Sequence, residues 1–305
     1  MSPIRSGGPM KPFLELVASE IVLFDGAIGT MLQARGLPAG DPAEKWVIER
    51  PEEVVRLHRD YVEAGAQVLT TNSFGGTRFK LSNWLDPSRT RELNRRAAEL
   101  AREAARDEAY VAGSVGPTGA FLEPLGTVSR EEMKEAFAEQ VSGLVEGGAD
   151  LIIIETQMDI QEAVLAVEAA RSVCHLPIIA NMTYNPGRAG YRTLMGNTVA
   201  ECVQALEEAG ADIVGSNCGT GIDDMIQVVR EMKLVASRPI LAEPNAGLPE
   251  LVNGRTVYRE TAEQMAGKLP ALIEAGARVV GGCCGTTPEH TRRFRQKLDE
   301  VQGRR

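Results

Sequence analysis

The 305-residue sequence predicts a single α/β domain of the (β/α)8 TIM barrel class. Eight short apolar segments alternate with eight helical patterns, and continuously apolar strands are typical of a parallel sheet buried on both faces. A phrase of the form Glu-x-Gly-Ala recurs at Glu63, Glu146, Glu208 and Glu274, each time where a helix ends before a short strand. Helix-to-strand connections are short and several strand-to-helix connections are long, which places function at the carboxyl ends of the strands.

Each predicted strand is one apolar run that leads into one helix. Four strands follow the repeated phrase, and the other four are the runs Ile21 to Phe24, Tyr110 to Val115, Pro177 to Met182 and Pro239 to Ala242. Helices are predicted at roughly 51–64, 89–108, 130–147, 159–173, 197–209, 222–236, 260–275 and 288–301. A doubly wound open sheet is the alternative, disfavoured because no Gly-x-Gly-x-x-Gly turn follows the first strand. Residues 1–12 are expected to form a flexible N-terminal tail and residues 13–305 the barrel.

Charge and composition narrow the class of partner. The 33 basic and 42 acidic side chains give a net charge of −9, which argues against nucleic acid or an anionic membrane and favours a small molecule or a protein. No apolar run reaches the roughly 18 residues that cross a bilayer, and the first residues carry no signal-peptide pattern, so a cytoplasmic location is expected. There the five cysteines would stay thiols and remain available to a metal.

Two adjacent cysteines, Cys283 and Cys284, follow the eighth strand. Neighbouring cysteines are poorly placed for a disulfide with each other, so a shared metal is the better interpretation. Cys218 follows the sixth strand, and alternate strands of such a barrel direct side chains into the same layer. Three convergent thiolates favour zinc, with a fourth position open to exchange. The alternative for Cys218 is a small buried apolar residue, which is also the interpretation for Cys174 and Cys202 in helices.

Two carboxylates, Asp25 and Glu155, end buried strands, where an unpaired charge is costly. A substrate ammonium group would balance them, and the alternative is pairing with an arginine such as Arg78 or Arg192. Asn245 lies between prolines and is by default a turn residue. Further polar residues end other strands: Asn72, Ser114, Asn217 and Glu243.

Neither the histidines nor the lysines are placed where they would indicate a catalytic role. The three histidines, His58, His175 and His290, fall on helices or helix ends and are interpreted as surface or helix-end residues. None of the predicted strand ends carries a lysine, which disfavours a lyase or aldolase that uses Glu155 and a metal.

Four stretches carry a resemblance to a known family: Asp25 to Met31, Asn217-Cys218, Glu243 to Gly247 and Gly281 to Gly285. Together they resemble the homocysteine S-methyltransferase family over about Ile21 to Phe294. The resemblance implies a zinc-bearing barrel that methylates homocysteine to methionine. It implies Cys218, Cys283 and Cys284 as zinc ligands, with Asn245 as the fourth ligand before substrate binds. It implies that the amino-acid portion of homocysteine is held by Asp25, Gly26, Ser114, Glu155 and Asn217.

The stretch Thr71 to Leu81 is most similar to the homocysteine module of cobalamin-dependent methionine synthases. This similarity implies methylcobalamin as the methyl donor, held by another module that docks transiently, and linkage to a folate-binding module. Thr156 stands where enzymes that use betaine have an aromatic residue, so betaine is not expected. The alternatives are a free-standing enzyme that uses S-methylmethionine or S-adenosylmethionine and, in another class, a non-catalytic barrel that binds zinc or thiols.

Overall fold

A computed structural model describes residues 10–188, 190–252 and 255–303, and it confirms the predicted (β/α)8 barrel. The parallel strands follow the order β1-β8-β7-β6-β5-β4-β3-β2. β1 and β2 close the barrel through a parallel bridge between Phe24 and Val68, which rules out the open doubly wound sheet. The strands β1 to β8 are Val22–Leu23, Val68–Thr70, Tyr110–Val115, Leu151–Gln157, Ile178–Met182, Ile213–Asn217, Ile240–Glu243 and Ala277–Val280.

Eight helices surround the sheet close to their predicted positions. Several begin where the side chain of a Ser or Thr accepts the backbone N–H of the third helical residue, as Ser129, Thr198 and Thr261 do. No helix in the described part of the chain has the length and apolar character to cross a membrane. The helices α1 to α8 are Pro51–Ala64, Thr90–Ala105, Arg130–Glu146, Ile160–Val173, Val199–Ala209, Ile222–Lys233, Ala262–Ala275 and Pro288–Val301.

The long strand-to-helix connections contain structure that the sequence patterns did not predict. In the described residues they include the short α-helices Gly29–Ala34, Trp46–Glu49 and Arg78–Leu81 and two antiparallel strand pairs, 185–187 with 190–192 and 250–252 with 255–257. A further short helix, Phe13–Ser19, precedes β1. Residues 1–9 of the predicted N-terminal tail lie outside the described residues.

Inward-facing side chains fill the barrel in two layers. The lower layer, called the plug here, is apolar and includes Phe24, Ala112, Ile153, Ile213, Leu241 and Val279. Since successive side chains of a strand alternate between its faces, the residue two positions beyond a plug residue also faces inward. On β3, β4 and β7 this next residue is polar: Ser114, Glu155 and Glu243. On β6 it is Gly215, and the next inward-facing residue after it is the polar Asn217. The four form a polar layer between the plug and the barrel mouth.

The repeated phrase builds the opposite, amino-terminal end of the barrel. Its glycines have positive φ angles that favour glycine and end the preceding helices: Gly65 at 100°, Gly148 at 92°, Gly210 at 104° and Gly276 at 130°. In three copies the residue after Gly-Ala accepts a backbone hydrogen bond from the preceding strand: Gln67 from Leu23 (3.0 Å), Asp150 from Val111 (2.8 Å) and Asp212 from Ile178 (2.9 Å). Arg102 and Arg171 pair with the two aspartates.

One prediction about the histidines is wrong. His58 is 0% exposed in the middle of α1, on the same face as the buried residues Val54, Tyr61 and Val62. Neither ring nitrogen has a hydrogen-bond partner among the described residues, and burial lowers the pKa of His58 to about 4. The helical spacing of this apolar face was the signal in the sequence that predicts its burial.

Candidate active site

Three thiols meet at the carboxyl ends of β6 and β8. The Sγ atoms of Cys218, Cys283 and Cys284 all lie within 4.8 Å of one another, and we call them the thiol cluster. Bonds of about 2.3 Å to a tetrahedral zinc would place such sulfurs about 3.8 Å apart, so small side-chain adjustments suffice to bind the ion. The backbone of β7 supports both sides of the cluster, because Cys218 donates its N–H to the Glu243 carbonyl (3.1 Å) and Cys283 to the Pro244 carbonyl (2.9 Å).

Asn245 supplies an oxygen beside these sulfurs. It is 3% exposed, its side chain reaches the Cys218 thiol, and its Oδ1 has no hydrogen-bond partner among the described residues. Hydrogen bonds from Cys283 and Cys284 lower the pKa of Cys218. Three thiols and one orphaned amide oxygen are a donor set that fits zinc.

Asp25 follows β1 and is held by the neighbouring strand. Thr70 donates its backbone N–H to Oδ2 and its hydroxyl to Oδ1, both at 2.9 Å. Burial, together with the negative field of Glu155, raises the pKa of Asp25 to about 8. Gly26 is required next to it, because a Cβ there would lie 2.7 Å from the Thr286 hydroxyl oxygen. The carboxyl group is therefore fixed and buried, and no cation of the described residues pairs with it.

Glu155 belongs to the polar layer and receives two side-chain donors. Ser114 donates its hydroxyl to Oε1, and Asn217 donates its amide to Oε2 at 3.2 Å. Burial, with a contribution from negative charge on Cys218, raises the pKa of Glu155 to about 7. Thr156 has a φ of 57°, and its N–H donates to Asn217 Oδ1 at 2.7 Å, so a strained turn orients the amide.

Glu243 is a third buried acid that the sequence analysis named only as a strand end. It is 6% exposed, and burial followed by the fields of Glu155 and Asp25 raises its pKa well above the usual range of a carboxyl group. Gly281 on β8 makes room for it, since a Cβ there would lie 3.0 Å from Glu243 Oε1. The signal that predicts its position is the alternation along β7 from the plug residue Leu241.

A cavity of about 960 Å³ joins these groups and opens at the barrel mouth. Its outer wall includes Phe74, Lys80 and Trp84, which follow β2. Within the described residues no arginine or lysine forms an ion pair with Asp25 or Glu155, and Arg78, one of the expected alternatives, pairs with Glu139 at 3.0 Å. The cavity thus combines three thiols that could hold a soft metal with acids that lack a cationic partner among the described residues.

The remaining candidate residues lie outside the thiol cluster. Cys202 is buried in α5 and Cys174 follows the end of α4, so neither joins the thiol cluster. Asn72 lines the cavity, and its amide donates to the Ala43 carbonyl at 2.8 Å. Glu44, which sequence reasoning missed, is buried in the cavity wall and accepts the Gly75 N–H at 2.5 Å, so it supports the loop after β2.

Comparisons with known proteins agree with one another. Residues 22–298 match the family described as homocysteine S-methyltransferase. The chain is 33% identical over 297 residues to the methionine synthases of Mycobacterium tuberculosis and Mycobacterium leprae, matching 92% of this chain but only 25% and 24% of those proteins. The chain therefore spans about a quarter of the length of these relatives. The metallated homocysteine methyltransferase MmuM from Escherichia coli superposes with a TM-score of 0.79 at 27% identity, covering 94% of this chain and all of that one.

Proposed function

The chain belongs to the homocysteine S-methyltransferase family, and from that membership we propose that it methylates the sulfur of homocysteine to give methionine at a zinc site. The observation that carries the proposal is the convergence of Cys218, Cys283 and Cys284 within 4.8 Å, on the wall of a cavity that also holds buried acids. A soft metal and a group that attracts ammonium are the two parts needed to bind an amino acid through its thiol.

In this proposal the thiol cluster would hold the zinc, with Asn245 Oδ1 as a fourth ligand that the substrate thiol could displace. Bound zinc supplies a positive centre that keeps the homocysteine thiol in its nucleophilic, deprotonated form at neutral pH. The chain itself positions the substrate. Asp25 and Glu155 attract its ammonium group, while Gly26 leaves room beside Asp25.

Two residues of the polar layer act through Glu155. Ser114 and Asn217 donate hydrogen bonds to its carboxylate and so fix its orientation towards the cavity. With the ammonium group and the sulfur held at separate points, the sulfur is aligned for attack on a methyl group, and no protein base acting on that methyl group is required.

For the donor we propose methylcobalamin held by another module, with linkage to a folate-binding module. The identity of 33% to two methionine synthases that are about four times longer supports this choice. The volume of the cavity supports it too, because about 960 Å³ is more than one homocysteine molecule fills. A reducing compartment such as the cytoplasm would keep the cluster available to zinc.

A second candidate is a free-standing enzyme that uses S-methylmethionine or S-adenosylmethionine. One observation favours it: the Escherichia coli homocysteine methyltransferase MmuM is matched over its whole length. A small cationic donor would also enter the acidic cavity without a carrier module.

Metal analysis and initial rates test the proposal. We expect one zinc per chain and methionine formation from homocysteine and methylcobalamin, with no turnover of betaine. Cys218→Ser and Cys283→Ser should lose most of the zinc and the activity, whereas Cys174→Ser, a thiol outside the cluster, should keep both.

The alternatives give different results in the same assays. Full zinc occupancy in both cluster variants would refute the zinc site. Rapid turnover of S-methylmethionine with none from methylcobalamin would select the free-standing enzyme, and zinc binding without turnover of any donor would select the non-catalytic class.

A further inference from the structure

Glu243 differs from Asp25 and Glu155 in its hydrogen bonds. Asp25 holds two donors from Thr70, and Glu155 holds Ser114 and Asn217. The Glu243 carboxyl has no hydrogen-bond donor or cationic partner among residues 10–188, 190–252 and 255–303. The residue is nevertheless almost fully buried, with only 6% of its surface exposed. Burying a carboxylate without a partner is costly, so a ligand that brings a hydrogen-bond donor or a positive charge would stabilise this group.

The position of Glu243 is fixed by the sheet. It lies directly across from Asn217 in the parallel register of β6 and β7, two residues beyond the plug residue Leu241. On the other side, Gly281 of β8 leaves the space that the carboxyl group occupies. Glu243 therefore lines the cavity between the strands that carry Cys218 and Cys283.

The chemistry of the free group selects its ligand. A carboxylate without donors binds a group that brings both positive charge and N–H bonds, as an ammonium does. A hard metal ion does not suit the acids, because among the described residues the only groups that converge within 4.8 Å are the three thiols. The homocysteine ammonium is attached to the same molecule whose sulfur would reach those thiols.

We propose that Glu243 binds the ammonium group of the substrate directly, and that it makes the site selective for amino thiols over thiols without an amino group. Asp25 and Glu155, which already hold protein donors, add negative field around the same ammonium. This inference rests on the proposed homocysteine chemistry and adds a specificity-determining residue to it.

Calorimetric titration of the zinc-loaded, reduced protein tests the role. Two ligands are compared: homocysteine and its deamino analogue, in which a hydrogen replaces the ammonium group. Glu243→Gln keeps the shape of the side chain and removes its charge, so we expect homocysteine affinity to fall about 10-fold or more while affinity for the analogue is unchanged. The matched control is Glu162→Gln, since Glu162 is as deeply buried but its carboxylate already accepts two hydrogen bonds from Thr118 at 2.6 Å.

The ratio of the two affinities is measured within one protein, so a general loss of stability in Glu243→Gln does not imitate the expected result. An unchanged ratio in Glu243→Gln would overturn the proposal, as would an equal loss in Glu162→Gln. Unchanged homocysteine affinity together with slower use of a sulfonium donor would move Glu243 to the donor side and also refute it. If the unaltered protein binds neither thiol, the proposed homocysteine function itself fails, which is a separate result.

Discussion

The two ends of the barrel use acidic side chains in opposite ways. At the amino-terminal end, Asp150 and Asp212 each accept a backbone N–H and pair with an arginine, so their charge is balanced within the chain. At the carboxyl end, Asp25, Glu155 and Glu243 have no cationic partner among the described residues, and Asp25 and Glu243 are almost fully buried. The first arrangement stabilises the fold, whereas in the second burial disfavours the charged form of the acids until a cationic ligand balances it.

The largest expected effect comes from replacing the Asp25 carboxyl group, at the barrel mouth, by an uncharged amide. Burial raises the pKa of Asp25 from 3.8 to about 8, so the unfolded chain releases this proton at lower pH than the folded chain does. The contribution of Asp25 to the free energy of unfolding is therefore fully present below about pH 4 and is lost as the pH rises to about 8. Asp25→Asn lacks this loss and should exceed the unaltered protein by about 2–4 kcal/mol at pH 8 without homocysteine, as measured by urea unfolding.

The advantage of Asp25→Asn should shrink when the same unfolding experiment is repeated near pH 5. Its affinity for homocysteine should fall, because the negative field on the ammonium is weaker. A variant that is less stable than the unaltered protein at pH 8 would show that the hydrogen bonds from Thr70 outweigh the cost of burying the charge.

The same substitution at the other end should have the opposite sign. Asp212 binds the Ile178 N–H and Arg171, and its side chain is 25% exposed, so solvent weakens the ion pair only in part. We expect Asp212→Asn to lower the free energy of unfolding by about 1–2 kcal/mol. Zinc content and homocysteine affinity should not change.

Asp150→Asn is the internal replicate, because Asp150 makes the equivalent contacts with Val111 and Arg102. Loss of homocysteine affinity in either variant, with the protein still folded, would contradict the separation of the two ends.

The ends also differ in how well the sequence predicts them. The repeated phrase predicts four helix ends and four strands because its glycines obey a local conformational rule that operates within a few residues. The thiol cluster was predictable in outline, since alternate strands of a barrel share a layer. In both cases a regular pattern carries the information.

The walls of the mouth were not predictable in this way. The loop after β2 depends on Glu44 accepting the Gly75 N–H, a contact between residues far apart in the chain. The unpaired state of Glu243 depends on the absence of donors among the described residues of the two neighbouring strands and on the space at Gly281. No local pattern reports such an absence, so the acid that the sequence presented only as a strand end became a candidate binding residue in the structure.

The smallest expected effect compares backbone strain at the two ends. Arg106, exposed after α2, has a φ of 50°, and Thr156 in the mouth has a φ of 57°, both in the region that favours glycine. Arg106→Gly should raise the free energy of unfolding by about 0.5–1 kcal/mol without changing homocysteine affinity, because relief of strain exceeds the added freedom of the unfolded chain. Thr156→Gly relieves similar strain but removes the hydroxyl that accepts the Asn217 amide at 2.9 Å, so we expect no net gain in stability and weaker homocysteine binding.

Thermal unfolding and calorimetric titration of both variants measure the difference. Equal stabilisation by the two substitutions, with homocysteine affinity intact in both, would mean that the strained turn at Thr156 does not orient Asn217 for binding.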